Sequence, residues 1–256
     1  MTLNVNANMK KESVIHFQDN FVYEIQISRA DKMNALTNDM YASLVAALQR
    51  AENNDGIKVI FLRSNNENFC AGNDLADFLN VEFTKDSPVV QFLHLLANLK
   101  KPLICAIGGA TIGIGTTLLL HCDLVFASKT TQFSMPFIKL GLTPEGGSSQ
   151  LLSQQCGRLK ANDWLLTGRT FFVDEALQAG LVNDVFDDLE STWQHAKKTA
   201  LDLSKSSLKL LIETKKLLNV ESAKTINQVI DNEVDVFIEA LQTPECKVIL
   251  NNFLTR

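Results

Sequence analysis

The stretch KPLICAIGGATIGIGTTLLLHCDLVFA, residues 101–127, decides the fold. Its run from Leu103 to Ile107 is apolar at every position, so it reads as a strand buried on both faces; a strand with one wet face would alternate. Gly108-Gly109 breaks that run, and Gly113 and Gly115 lead into a helical segment ending near His121. Leu124 to Ala127 is again apolar throughout. A strand, a helix and a second fully apolar strand make a parallel βα unit.

The same grammar extends towards the N-terminus. Residues 88–99 predict a helix and residues 59–62 a strand buried on both faces. Thr37 is suited to cap a helix with Asp39 in its first turn and Met40, Leu44, Val45 and Leu48 on its apolar face, fading at Asn53-Asn54-Asp55-Gly56. Residues 14–28 predict a hairpin around Asp19-Asn20. From about Ala161 the pattern predicts helices alone, near 163–166, 174–179, 189–203, 206–218, 222–241 and 244–254. The apolar faces of the last ones (Val229, Ile230, Val236, Phe237, Leu241) fit either another subunit or the chain's own core.

Composition narrows the function classes. The 256 residues carry 24 Lys plus Arg against 29 Asp plus Glu, a net charge of −5 without a basic stripe, which disfavours nucleic acid as a partner. Residues 1–12 are polar, and no segment has the apolar length of a membrane span, so a cytoplasmic protein with no membrane partner is expected. The C-terminal Phe253-Leu254-Thr255-Arg256 is not a peroxisomal address. Cys70, Cys105, Cys122, Cys156 and Cys246 lack C-x-x-C spacing and read as buried free thiols, and the four histidines lack metal-ligand spacing, so no metal is expected.

Three loops carry the candidate chemistry. Asn68 to Leu75 directly follows a buried strand and mixes small residues with turn formers, which lets backbone approach a ligand. Residues 108–115 place unpaired backbone N–H groups at a helix start. Their spacing is not G-x-G-x-x-G, so a dinucleotide fold is disfavoured. In the third, residues 137–149, Glu145 sits just before a helix expected to begin near Gly146. On local spacing alone such a carboxylate is a helix-dipole charge as readily as a catalyst.

Together these segments resemble the crotonase superfamily of enoyl-CoA hydratases and isomerases, from about Glu12 to Arg256. The matching motifs are Asp31-Lys32-Met33-Asn34-Ala35-Leu36, Cys70-Ala71-Gly72-Asn73-Asp74-Leu75, Lys101-Pro102, Gly113-Ile114-Gly115, Cys122-Asp123-Leu124, Leu166-Thr167-Gly168 and residues 176–182. The resemblance implies an α/β fold: a ββα spiral core over residues 13–200, a polar tail over 1–12, and a C-terminal helical region over 201–256 that serves oligomerisation. It further implies a homotrimer or a dimer of trimers, and an acyl-CoA thioester substrate with no separate cofactor.

The resemblance also implies the site. Ala71 and Ile114 match the two backbone N–H donors of an oxyanion hole. Lys32 and Ala35 match contacts to CoA, and Gly72, Asn73, Asp74, Leu75, Gly113, Phe137 and Leu142 line the substrate. Thr117 and Phe137 occupy the positions of the hydratases' two glutamates and cannot move that proton. Pro136-Phe137 followed by Leu142-Thr143-Pro144-Glu145-Gly146-Gly147 is similar to the isomerase branch of peroxisomal type, whose one catalytic carboxylate matches Glu145. The implied reaction converts 3-enoyl-CoA to 2-trans-enoyl-CoA by a 1,3 proton transfer. Hydration or thioester hydrolysis by the same fold, and acyl-CoA binding without catalysis, remain alternatives.

Overall fold

The computed structural model describes residues 13–80, 82–219 and 223–255. The polar stretch expected over 1–12 lies outside the described residues. The chain forms β1 (Val14–Asp19), β2 (Val22–Ile27), α1 (Asn38–Glu52), β3 (Val59–Ser64), α2 (Leu75–Asn80), α3 (Pro88–Ala97), β4 (Leu103–Ile107), β5 (Ala110–Ile112), α4 (Ile114–Thr117), β6 (Leu124–Ser128) and β7 (Gln132–Ser134). There follow α5 (Ser148–Cys156), α6 (Arg158–Thr167), β8 (Phe171–Phe172), α7 (Val173–Gln178), β9 (Asp184–Phe186), α8 (Leu189–Ser204), α9 (Leu208–Leu218), α10 (Ala223–Gln242) and α11 (Pro244–Leu254).

The strands make two layers. One sheet has the order β1-β2-β3-β4-β6-β9, antiparallel only between β1 and β2. The second, β5-β7-β8, continues through single bridges, Cys70 to Thr111 and Leu36 to Asn73. Each turn of the chain therefore gives one strand to the large sheet and one short extended segment to the second layer: β3 then Cys70, β4 then β5, β6 then β7. That alternation is the crotonase-like ββα spiral, and it stacks the strand-ending loops on one another.

Apolar runs without alternation do bury both faces. Ile60, Leu62, Leu103, Cys105, Val125 and Ala127 join the main core with α1 and α3, while Val59, Phe61, Ile104, Ala106 and Phe126 face α8. Helix α8 meets that face with Ala196 and Ala200, small enough to let it lie close. Each large apolar residue so buried contributes on the order of 1.5–3 kcal/mol. Thr37 caps α1 as its sequence suggests, its hydroxyl accepting from the Met40 N–H.

Strands do not stop at Ala161: β8 and β9 follow it. They span two and three residues, too short to leave a period in the sequence. Aromatic stacking holds β8, with Phe171 3.8 Å from the Trp164 ring and 5.2 Å from the Phe133 ring. In the C-terminal region Ile226, Ile230, Val234 and Phe237 of α10 are buried in the chain's own core against α3 and α5, and α11 adds Cys246 and Leu250. Val236 points outward, as do Leu210, Leu217 and Leu218 of α9. No helix among the described residues is long and apolar enough to cross a membrane.

Candidate active site

The spiral brings the three candidate loops together. Cys70 bridges Thr111, and a Cβ on Gly72 would lie 3.3 Å from the Ile112 carbonyl oxygen, so loops 68–75 and 108–115 are in backbone contact. Gly113 adopts φ +55, a conformation that turns the chain from β5 into α4 and that side-chain-bearing residues rarely take. Ile114 is thus the first residue of α4, and among the described residues no acceptor engages its N–H.

The Ala71 N–H is differently placed. It donates to the Met33 carbonyl oxygen at 3.0 Å. A thioester oxygen held by both expected donors has to take Met33's place as acceptor. Met33 and Asn34 both have positive φ, and the buried Asn34 fastens this turn by donating to the Asn68 carbonyl at 2.6 Å and accepting from the Arg29 N–H at 2.7 Å. Asp74, expected at the substrate, pairs with Arg29 at 2.7 Å and accepts from the Ala76 and Asp77 N–H groups. Asn73 accepts from the buried Tyr41 hydroxyl, and Leu75 opens α2. Lys32 is exposed at the mouth of the same turn, and the Ala35 carbonyl accepts from Arg29.

Glu145 is 5 % exposed. One carboxylate oxygen, Oε1, accepts from the Thr117 hydroxyl at 2.5 Å, while Oε2 is buried without a partner. Burial pushes the Glu145 pKa up to about 8; the Thr117 hydrogen bond opposes this and the charge of Glu233 adds to it. Phe137 and Leu142 are buried, and the Leu142 N–H donates to the Phe137 carbonyl, so a dry wall stands where the hydratases' second glutamate would be. Thr117, at the position of the first, serves Glu145 instead. Thr117→Val removes this donor, so the acid limb of the rate moves to higher pH and the rate at pH 7 falls by about 3- to 10-fold. A pH profile of kcat/KM checks this.

Several groups behind Glu145 were not legible in the sequence. Gly146 and Gly147 adopt φ +70 and +75, so the loop turns sharply before α5, which begins at Ser148 rather than near Gly146. His121 donates from Nε2 to the Gly146 carbonyl at 2.7 Å, and desolvation lowers its pKa to about 4, so it is neutral. Glu233 of α10 accepts from the Gly147 and Ser149 N–H groups at 2.6 and 2.9 Å. Neither residue lies in a motif; Glu233 is 86 positions from its partner. Burial pushes the Cys70 thiol up to about 12, so it stays protonated and is no nucleophile. A cavity of about 650 Å³ lies behind this loop, bordered by His121, Leu151 and Ile226 rather than by Glu145 itself.

Comparison with known proteins places the chain in a family. The family profile for enoyl-CoA hydratase/isomerase matches residues 18–256. The chain is 32% identical over 233 residues to 1,2-epoxyphenylacetyl-CoA isomerase of Escherichia coli (strain K12), covering 88% of each. It is 30% identical over 254 residues to enoyl-CoA delta isomerase 2 of Homo sapiens, covering 96% of this chain and 64% of the human one. Among solved structures, Pseudomonas aeruginosa OdaA superposes with a TM-score of 0.93 at 35% identity, covering 96% of this chain and 100% of that one.

Proposed function

This chain belongs to the enoyl-CoA hydratase/isomerase family, and from that premise we propose that it is a delta3,delta2-enoyl-CoA isomerase with Glu145 as its single acid-base catalyst. The observation that carries the reading is a buried carboxylate with a free oxygen, the one such group among the described residues, in a site where Thr117 and Phe137 stand at the positions of both hydratase glutamates.

In the proposed reaction Oε2 of ionised Glu145 removes a proton from C2 of a 3-enoyl-CoA. The electron pair moves into the thioester, and the enolate oxygen is held by the Ile114 N–H, joined by the Ala71 N–H once Met33 gives way. Each well-placed donor of this kind is worth about 3–4 kcal/mol. The double bond then forms between C2 and C3 as Glu145 returns the proton to C4. One carboxylate suffices because the proton is taken and returned. The raised pKa supports this role, since a more basic carboxylate is the better match for a weakly acidic carbon.

Ionised Glu145 is the working form, and its pKa stands near 8. Below that value kcat/KM rises about tenfold per pH unit and it levels above, as for a single essential base. The direct test of the reaction is spectrophotometric: 3-enoyl-CoA against 2-enoyl-CoA as substrates. Conversion of the first and negligible hydration of the second is the expected result. Hydration alone, or thioester hydrolysis, would overturn the reading. The exposed Leu210, Leu217 and Leu218 favour assembly with further copies of the chain, in keeping with a trimer.

A further inference from the structure

We infer that Glu233, on the C-terminal helix α10, is a positioning residue of the active site: its carboxylate clamps the backbone of the loop carrying Glu145 and stands as a negative charge behind it. This rests on Glu145 being the acid-base group. Oε2 of Glu233 takes the Gly147 N–H and Oε1 takes the Ser149 N–H, so both oxygens act as acceptors, which is the bonding of an ionised carboxylate. The two N–H groups flank the start of α5, where an anion also meets the helix dipole.

A merely structural cap does not need this residue type. Serine, asparagine or glutamine at such a helix start accepts through one oxygen without burying a charge, whereas Glu233 accepts at both oxygens and carries a charge into the interior. Glu233 is 8 % exposed, and among the described residues no lysine or arginine pairs with it. Its nearest acidic neighbours on α10 are already engaged, Asp231 with His94 of α3 and Asp235 with Lys85. The other titratable groups facing the loop are neutral: His121 beneath Gly146, and Tyr41 and Cys70 across from Glu145, whose burial holds their protons on. Burial raises the Glu233 pKa and the bonds from Ser149 and Gly147 oppose that rise; once ionised, Glu233 is the charge that Glu145 faces.

The clamp also joins regions far apart in the chain. Helix α10 seats Ile226 and Ile230 beside Gly147, so the C-terminal region completes the catalytic loop rather than lying beside it.

Two variants separate clamp from charge. Glu233→Gln keeps shape and one acceptor but removes the charge; Glu233→Asp keeps the charge but is one methylene short of the backbone. The Glu145 midpoint is read without turnover by NMR of protein carrying ¹³C in its glutamate carboxyls, with the resonance assigned by its loss in Glu145→Gln. Glu233→Gln lowers that midpoint by about 0.5–1 pH unit, whereas Glu233→Asp leaves it near the wild-type value. Both lower kcat by about 5- to 20-fold while the Kd for hexanoyl-CoA stays within about twofold. An unchanged midpoint in Glu233→Gln together with wild-type kcat in both variants would overturn the inference. Absence of isomerase activity in the wild type would instead remove the proposed reaction, and the NMR midpoints would still decide the role of Glu233.

Discussion

Glu145→Gln lowers isomerase turnover by about 10³-fold or more while acyl-CoA binding persists, because the variant keeps the loop and both backbone donors but has no proton to exchange. The same substitution stabilises the fold in alkaline solution. The Glu145 carboxyl ionises at 4.5 in the unfolded chain and near 8 in the fold, so folding retains a proton between those values. Stability contributed by the wild-type carboxyl is thus lost as pH rises from 4.5 towards 8, and the buried charge is a standing cost above that. Glutamine escapes that cost, and denaturant titration at pH 8.5 shows Glu145→Gln more stable by about 2–4 kcal/mol, with no advantage near pH 4. A variant equally inactive but less stable at pH 8.5 would mean that the carboxylate is a structural member of the loop.

Gly115→Ala has the second large effect. Helix propensity alone favours alanine by about 1 kcal/mol. A Cβ at Gly115, however, would lie 2.6 Å from the Cys70 carbonyl oxygen and 3.0 Å from the Cys70 Cβ, and the obstacle is backbone, which cannot swing aside as a long side chain can. The clash wins: the substitution costs about 2–4 kcal/mol of stability and pushes apart the two loops proposed to hold the thioester oxygen. Turnover falls by about 10²-fold from misplacement of Ile114 against Ala71. Denaturant unfolding and steady-state kinetics measure the two losses. A Gly115→Ala enzyme with wild-type stability and turnover would place the oxyanion site elsewhere.

What the sequence made legible follows its periodicities. The apolar runs of β3, β4 and β6 and the capped start of α1 announced themselves, since burial on both faces and a Thr at a helix start leave local patterns. The strands β8 and β9 did not, because their few residues are held by partners, Trp164 and Phe133 for β8 and the edge of β6 for β9. The same division runs through the site. Glu145 could be picked out by resemblance, but its hydrogen bond from Thr117 and the bonds that His121 and Glu233 make to the loop behind it come from tertiary packing. Asp74 adds a feature of its own: a motif position that resemblance places at the substrate also pairs with Arg29, 45 residues away in the chain. The Met33 carbonyl on the Ala71 N–H is a backbone contact, invisible to any residue pattern.

In the proposed reaction one carboxylate moves one proton between two carbons of the same substrate. That transfer is tested most directly with 3-enoyl-CoA deuterated at C2. Oε2 of Glu145 is buried and without a hydrogen-bond partner, so part of the abstracted label returns before it exchanges. The expected product is 2-enoyl-CoA carrying deuterium at C4. A product mixture dominated by 3-hydroxyacyl-CoA, with C4 unlabelled, would contradict it.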